Sequence, residues 1–251
     1  MIMPARFDDV SLSVIMPTYN EAGNIVPLIR ATLEEIRTHF TCRFLEVLVV
    51  DDNSPDETWR LAGETGDPGV RVIRRMSEHG LRKSIEHGVK EARGDIVLWL
   101  DCDFSHPPRY IPQLVACVCV GFDIVVNSRY VAGGEDVREG KGTWLQRLLS
   151  WLLNHLTWLM LGQAFRDYTS GFVAAKTGVI RELGLNGDYG EYFIDLIYRA
   201  IRKGYRVIEL PYRNEPRRAG ESKTGSTICD YARRGVNYMR TLVKLRLQGH
   251  I

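Results

Sequence analysis

Two aspartates separated by one residue, Asp101 and Asp103, are the strongest chemical signal in the sequence. They follow the apolar run 96–100 (IVLWL), which is typical of a buried β-strand. Two carboxylates at a strand end can converge on one hard cation such as Mg²⁺ or Mn²⁺, which takes oxygen ligands and shares them with substrate phosphates. Because the same pair also occurs by chance in surface turns, the neighbouring strand ends decide between the two interpretations.

Two further polar clusters follow predicted strands. Residues 18–21 (TYNE) come after the run 12–16, and residues 51–54 (DDNS) come after the run 44–50. Apolar residues at helical spacing separate these strands, and this alternation predicts an α/β fold with a mostly parallel sheet. Ligands of such sheets bind beyond the carboxyl ends of the strands. We therefore expect the three acidic clusters at one edge, and this favours the metal site.

Several classes of protein are disfavoured. The chain has no G-x-G-x-x-G after its first strand, no G-x-x-x-x-G-K-[ST] and no G-x-S-x-G, which argues against dehydrogenases, P-loop NTPases and serine hydrolases. With 45% hydrophobic and 25% charged residues and a net charge of +2, it reads as a folded protein with no sign of nucleic-acid binding. The five cysteines lack metal-ligand spacing, which indicates reduced thiols.

The small net charge conceals a split between the two halves of the chain. Residues 1–128 carry a net charge of −6, and residues 129–251 carry +8. Either the halves meet partners of opposite charge or they are two solvated surfaces of unequal charge.

Several motifs together resemble a known family. They lie at residues 14–21 (VIMPTYNE), 49–58 (VVDDNSPDET), 101–108 (DCDFSHPP), 127–130 (NSRY), 167–172 (DYTSGF), 209–211 (ELP) and 217–223 (RRAGESK). In this order they are similar to family 2 glycosyltransferases with the GT-A fold, a Rossmann-like sheet with flanking helices. Within that family they resemble the polyprenyl-phosphate sugar synthases, a group that includes dolichol-phosphate mannose synthase.

The resemblance implies a sugar-nucleotide site in the first half of the chain. Its nucleotide-binding positions are Pro17, Tyr19, Glu21 and Asp52. It also implies that Mg²⁺ or Mn²⁺ is held by Asp101, Asp103 and Ser105. Ser105 stands where relatives often carry glutamine, and its hydroxyl can still coordinate a metal.

The resemblance implies an anionic acceptor, a polyprenyl or dolichyl monophosphate. A phosphate nucleophile needs no general base, but it needs cations that place it in line and offset the repulsion between two phosphates. Arg129, Arg217 and Lys223 match the family's positions for that work. Together with Asp101 and Asp103 they form the expected catalytic set for transfer that inverts the anomeric carbon.

Three alternatives remain for function. The first is transfer of a hexose, with GDP-mannose as the favoured donor. The second is a UDP-sugar-dependent glucosyl or aminosugar transferase. The third is a non-catalytic subunit that recruits a partner to membranes.

Residues 144–161 predict an amphipathic helix at a membrane surface. Arg147, Ser150, Asn154 and Thr157 form one polar stripe, and the rest of the circumference is apolar and rich in tryptophan. We interpret it as an interfacial helix. The alternative is a helix buried against another subunit, a second copy of the chain or a further domain. The sequence contains no uninterrupted run of about 18 apolar residues, so we do not expect a transmembrane helix.

The resemblance implies a GT-A domain over residues 1–225, and we expect a basic amphipathic helix over residues 226–251. In that helix Ile228, Tyr231, Met239 and Leu242 fall on one side and the basic residues on the other. Such a helix suits an anionic leaflet, and a core-packed helix with a solvated back explains it almost as well. The expected location is peripheral, on the cytoplasmic side of a membrane.

Overall fold

The computed structural model describes residues 7–138, 143–162, 164–220 and 228–248. The strands are β1 (Phe7–Thr18), β2 (Phe40–Asp51), β3 (Val70–Arg74), β4 (Ile96–Trp99), β5 (Ile124–Ser128), β6 (Glu135–Asp136), β7 (Val173–Lys176), β8 (Val207–Pro211) and β9 (Arg213–Asn214). The helices are α1 (Ile25–His39), α2 (Thr58–Gly63), α3 (Leu81–Glu91), α4 (Ile111–Cys119), α5 (Thr143–Leu161), α6 (Thr177–Leu183), α7 (Glu191–Arg202) and α8 (Ile228–Gln248).

Seven strands form one sheet in the order β3-β2-β1-β4-β7-β5-β8. Only β7 runs antiparallel to its two neighbours, so the prediction of a mostly parallel sheet is confirmed. The strand β7 was not predicted, because its four residues carry no strand periodicity. The short strands β6 and β9 pair separately.

The central strands are apolar on both faces because helices cover both faces. Leu12 and Val14 of β1 point into a core with α1 and α4. Ile15 points the other way, into a core with α3, α6 and α7. All three side chains are fully buried. The strand order reverses at β1, because β2 and β3 lie on one side of it and β4 lies on the other. Open α/β sheets bind ligands at the carboxyl ends of the strands at such a switch point.

Gly94 provides a test of this packing. A Cβ atom at Gly94 would lie 2.6 Å from the backbone nitrogen of Ser13 on β1. We expect Gly94→Ala to lower the free energy of unfolding by about 1–3 kcal/mol, since the backbone of β1 must move. Chemical denaturation measures the change. Gly178→Ala in α6 is the matched control because its Cβ meets nothing within 4 Å. Equal stability of the two variants would contradict the close approach of Gly94 to β1.

Three of the four residues of the polar stripe of α5 turn towards the protein, whereas Arg147 is exposed. Asn154 and Thr157 are buried, and Leu153 and Leu156 pack against the core. The outward face carries exposed apolar side chains: Trp144, Leu148, Leu149, Trp151, Leu152, Trp158 and Leu159. In the part of the chain that the structure describes, no helix combines the length and the apolar character needed to span a bilayer.

Helix α8 has two apolar sides. Leu242 and Leu245 are buried in the core, whereas Met239 is 38% exposed beside Val236 and Val243. Leu242 and Met239, which the sequence placed on one apolar side, have different environments: Leu242 faces the core and Met239 faces outward. The side chains of Ile228 and Tyr231 lie outside the described residues. The helix packs on α5, where the Arg246 guanidinium donates to the carbonyl of Met160 at 3.1 Å.

Candidate active site

The ends of β1 and β2 are tied together by Asp51. Its carboxylate accepts hydrogen bonds from the Thr18 hydroxyl at 2.9 Å and from the Ser54 hydroxyl at 2.6 Å. The backbone nitrogen of Asp52 donates to the Thr18 carbonyl at 3.0 Å. These contacts fix the two polar strand ends beside each other, as the sequence predicted.

Asp52 holds a loop that sequence reasoning did not assign to the site. Its carboxylate accepts from the Arg75 guanidinium at 2.7 Å, the Ser84 hydroxyl at 2.8 Å and the Gly80 backbone nitrogen at 2.6 Å. Arg75 is itself buried. The site therefore includes a buried arginine. Its signal in the sequence was two adjacent arginines, Arg74 and Arg75, directly after a predicted strand.

The other nucleotide-site positions lie beyond the end of β1. Pro17 is half-buried near the strand end, and Tyr19 is 44% exposed. Glu21 is buried and accepts a hydrogen bond from the Asn24 side chain at 2.7 Å. Its other carboxylate oxygen lies 3.1 Å from the Arg217 guanidinium.

Arg217 joins the nucleotide side of the site to the Asp-x-Asp motif. Besides Glu21, its guanidinium contacts the Asp103 carboxylate at 2.7 Å. The Ser105 hydroxyl donates to the other oxygen of Asp103 at 2.6 Å. Burial acts to raise the pKa of the Asp103 carboxyl, but the positive charge of Arg217 and the hydrogen bonds from Ser105 outweigh it and lower that pKa. Asp103 is therefore held as an anion.

The backbone around Arg217 closes over the same motif. The backbone nitrogen of Arg218 donates to the Asp103 carbonyl at 2.9 Å, and that of Glu215 donates to the Ser105 carbonyl at 3.2 Å. Asn24 donates to the Ala219 carbonyl at 3.1 Å. The basic loop 215–219 therefore lies across the carboxyl ends of β1 and β4.

Asp101 is oriented by His106, to which the sequence analysis gave no role beyond its place in the 101–108 motif. The backbone nitrogen of Asp101 donates to Nδ1 of His106 at 2.9 Å, and Nε2 lies 4.0 Å from the Asp101 carboxylate. Burial lowers the pKa of His106, so the ring is neutral and carries its proton on Nε2. Its ring stacks on Phe172 with centroids 5.0 Å apart, which brings the Ser-Gly-Phe motif against the Asp-x-Asp motif.

The carboxylate of Asp101 faces the cleft. About half of its side-chain surface is exposed, 49%. The crowded cleft walls nevertheless desolvate the carboxylate and, with the negative charge of Asp103, raise the pKa of Asp101. A cation beside the pair would favour its ionised form.

The residues present fit a hard divalent cation. Asp103 already accepts one cation, the Arg217 guanidinium, and Asp101 and Ser105 supply further oxygen atoms at the same strand end. In the described ranges, no group of three or more acidic, histidine or cysteine side chains is placed to hold a metal. A cation held here would take its remaining ligands from substrate and water, as is usual for Mg²⁺ at phosphate sites.

Arg129 is buried in an ion-pair network. Its guanidinium donates to both oxygens of Asp167, at 2.8 and 2.7 Å, and to the Thr169 hydroxyl at 2.7 Å. Asp136 lies 3.5 Å away. Although burial alone would lower it, the Asp167 carboxylate raises the pKa of Arg129. In this conformation Arg129 faces protein groups. Lys223, the remaining predicted cation, lies outside the described residues.

The network around Arg129 reaches helix α5. The Thr169 hydroxyl lies 2.9 Å from the Ser150 hydroxyl and accepts from the Asn154 side chain at 2.8 Å. The Tyr130 hydroxyl donates to Ser150 at 3.1 Å. The polar stripe of the apolar helix is thus bonded to the arginine that follows β5.

A mostly parallel sheet with this acidic cluster at its switch point defines the GT-A type of glycosyltransferase fold. Glucosyl-3-phosphoglycerate synthase from Mycobacterium tuberculosis, solved with Mn²⁺, uridine diphosphate and phosphoglyceric acid, matches with a TM-score of 0.70 and 19% identity. The match covers 94% of this chain and 78% of that one. At this identity the likeness shows the fold alone.

The chain belongs to glycosyl transferase family 2, whose model matches residues 13–184. It is therefore a glycosyltransferase, and the resemblance read from the motifs is confirmed at the level of the family. The chain is 34% identical to a dolichol-phosphate mannosyltransferase from Pyrococcus furiosus, over 89% of this chain and 62% of that protein. It thus spans about three fifths of that relative's length.

Two other relatives differ in the sugar that they are named for. A polyprenol monophosphomannose synthase from Mycolicibacterium smegmatis is 38% identical over 86% of this chain and 82% of its own length. An undecaprenyl-phosphate 4-deoxy-4-formamido-L-arabinose transferase from Edwardsiella ictaluri is 29% identical over 85% of this chain and 63% of its own length. All three relatives are named for polyprenyl-type phosphates.

Proposed function

We propose that this chain transfers a hexose from a sugar nucleotide to the phosphate of a polyprenyl monophosphate, with GDP-mannose as the donor. One observation carries the proposal. Through the Thr169 hydroxyl, the buried Arg129 is hydrogen-bonded to the polar side of an outward-facing apolar helix. The arginine that follows β5 and a surface suited to lipid therefore belong to one hydrogen-bonded network. The names of the relatives support the phosphate acceptor and favour mannose.

The residues of the cleft divide the work of transfer. Asp52 and Arg75 shape the wall where the nucleotide binds, and Glu21 and Tyr19 lie beside it. Arg217 stands between this wall and Asp103, where its guanidinium offsets the negative charge of two phosphates brought together. The lipid phosphate is itself the nucleophile, so a single displacement inverts the anomeric carbon without a general base. A neutral, buried His106 agrees with this scheme, because it orients Asp101.

Mg²⁺ or Mn²⁺ would be held by Asp101, Asp103 and Ser105. Such a cation stabilises the charge on the nucleoside diphosphate as it leaves. The remaining work, positioning the acceptor and shielding its charge, belongs to Arg217 and Lys223, while Arg129, paired with Asp167, holds the acceptor side of the cleft in place.

The exposed face of α5 is the proposed contact with the membrane, at its cytoplasmic surface and without crossing it. Trp144 and Leu159 are 68% and 71% exposed on this face. Tryptophan favours the headgroup level, and leucine gains from burial in the acyl region. A second copy of the chain or a membrane subunit is the competing occupant of the same face.

A charge placed on this face tests the contact. We expect the double variant Leu152→Asp/Leu159→Asp to bind vesicles at least about tenfold more weakly, since two leucines can no longer be buried in the membrane and two anions are added. Co-sedimentation with vesicles of phosphatidylglycerol and phosphatidylcholine measures the change. Val120→Asp is the control, because Val120 is 59% exposed at the end of α4. If the double variant still sedimented like the native chain but changed from dimer to monomer, the face would bind a second copy instead.

The donor is tested with a panel of labelled sugar nucleotides. The protein is incubated with Mg²⁺ or Mn²⁺, polyprenyl phosphate and GDP-mannose, UDP-glucose or UDP-N-acetylglucosamine. We expect lipid-extractable label with GDP-mannose. Label from a UDP-sugar alone would establish the second alternative. No label from any donor would leave the third, a non-catalytic subunit that recruits a partner.

A further inference from the structure

A recess of about 370 Å³ lies between α5 and the segment that precedes β7. Pockets that bind small molecules have about this volume or more, with apolar walls and a few polar groups. The residues that line it are Tyr130, Trp151, Asn154, His155, Trp158 and Arg166. His155, Trp158 and Arg166 lie outside the family motifs found in the sequence.

Three rings from successive turns of α5 form one wall of the recess. The His155 ring stacks on Trp151 with centroids 5.1 Å apart and an angle of 18° between the planes. It is tilted against Trp158, with centroids 5.6 Å apart. Spacings of three and four residues place these side chains on one face of the helix. The wall is thus a continuous aromatic surface, suited to an apolar chain lying along it.

Arg166 supplies the positive charge of the recess. Its guanidinium carbon lies 5.1 Å above the centre of the Trp158 ring. Within the described residues no carboxylate forms an ion pair with this guanidinium, whereas Arg129 is paired with Asp167 and Arg217 with Asp103. The Arg166 contact to Glu209 uses only the backbone nitrogen, at 2.7 Å. The recess therefore offers a cation that is ready for an external anion.

The recess adjoins the acceptor side of the active site. Tyr130 follows Arg129 in the chain, and Arg166 precedes Asp167, the partner of Arg129. The motif that carries Asp167 continues to Phe172, whose ring stacks on His106 at 5.0 Å, and His106 contacts Asp101. On the other side, Trp151 is 47% exposed and belongs to the apolar face of α5. A ligand in the recess would thus lie between the proposed membrane contact and the reaction centre.

We propose that this recess receives the phosphate end of the lipid acceptor. Arg166 binds the phosphate through charge-assisted hydrogen bonds, and the Trp151–His155–Trp158 wall contacts the first isoprene units. The inference rests on the proposed function, and it names Arg166 as a binding residue for the acceptor. The ligand class is a prenyl monophosphate: an anion with an apolar chain attached, which matches one cation beside an aromatic wall.

Isothermal titration with farnesyl phosphate tests the recess without donor or metal. We expect Arg166→Ala to weaken binding by about tenfold or more, the usual effect of losing a charge-assisted hydrogen bond. Arg166→Lys keeps the charge and recovers part of the affinity. Arg30→Ala is the matched control, an exposed arginine on α1, which packs on the opposite face of the sheet. Farnesol, which lacks the phosphate, should bind the native chain and Arg166→Ala alike.

Two results would overturn the assignment. One is equal affinity of Arg166→Ala and the native chain for farnesyl phosphate. The other is displacement of farnesyl phosphate by dispersed short-chain phosphatidylglycerol at equal concentration, which would make the recess a site for anionic phospholipid. Because the titration contains no sugar nucleotide, its outcome is separate from that of the donor panel. Arg166-dependent binding without transfer from any donor would support the recess and refute the proposed transfer.

Discussion

Asp103→Asn is expected to lower the rate of sugar transfer by about 10²- to 10³-fold, the size of effect seen when one preorganised charge interaction is lost from a reaction centre. Asp103 contacts both the Arg217 guanidinium and the Ser105 hydroxyl. The amide is nearly isosteric but neutral, so it loses the attraction for a divalent cation and for Arg217. The measurement is the initial rate at saturating donor and lipid phosphate.

The control for this variant is Asp95→Asn. Asp95 stands at the opposite end of β4, where its side chain is 71% exposed in a surface ion pair with Arg43. We expect this variant to retain native activity, since exposed ion pairs contribute little. Transfer by Asp103→Asn at more than a tenth of the native rate would contradict the metal and charge role given to Asp103.

Arg217→Ala is expected to have the second largest effect, about a 10²-fold loss in kcat/KM for the lipid phosphate. Its guanidinium bridges Glu21 and Asp103, at 3.1 and 2.7 Å. Removing it leaves two buried carboxylates without a shared cation. Mn²⁺ binding in the absence of nucleotide should therefore become tighter even as transfer is lost. Calorimetric titration with Mn²⁺ measures this second change.

Arg217→Lys tests whether a positive charge alone is enough, and Arg213→Ala is the control for removing a nearby arginine. Lysine keeps the charge but not the planar fork that reaches two carboxylates, so partial recovery is expected. Arg213, at the edge of the short β6–β9 pair, lies 3.6 Å from the exposed Glu135, and its removal should leave transfer and Mn²⁺ binding unchanged. Unchanged kcat/KM and unchanged Mn²⁺ affinity in Arg217→Ala would show that the bridge is not used.

The acidic edge of the sheet could be predicted because strong local patterns specify it. The apolar runs before Asp51 and Asp101 fixed where β2 and β4 end, and the rule for parallel sheets placed their polar ends together. The antiparallel β7 could not be predicted in the same way. Its position between β4 and β5 depends on pairing with strands that are distant in sequence, and four residues carry too little pattern.

Side-chain environments were the less predictable part of the site. A motif singled out Arg129, but its burial against Asp167 depends on a contact across 38 positions of the chain. Of the predicted α5 stripe, Arg147 is exposed while Asn154 and Thr157 are buried, and periodicity alone cannot show which residues meet the protein. Here hydrogen bonds to Thr169 and Tyr168 turn Ser150 and Asn154 inward, which leaves the tryptophans outside.

The unequal charge of the two halves has a local counterpart in the cleft. The acidic first half contributes Glu21, Asp101 and Asp103, and the basic second half contributes Arg217. The two halves meet in the ion pairs of Arg217 with Glu21 and Asp103. The charge asymmetry is thus used, at least in part, inside the molecule.

The central claim is that a lipid phosphate is the nucleophile. It is tested by giving the enzyme labelled GDP-mannose and metal with either polyprenyl phosphate or the corresponding polyprenol. Lipid-extractable label is expected only with the phosphate-bearing lipid, in a product whose anomeric configuration, determined by NMR, is inverted relative to the donor. Label on the polyprenol, or mannose released to water at the same rate with either lipid, would contradict it.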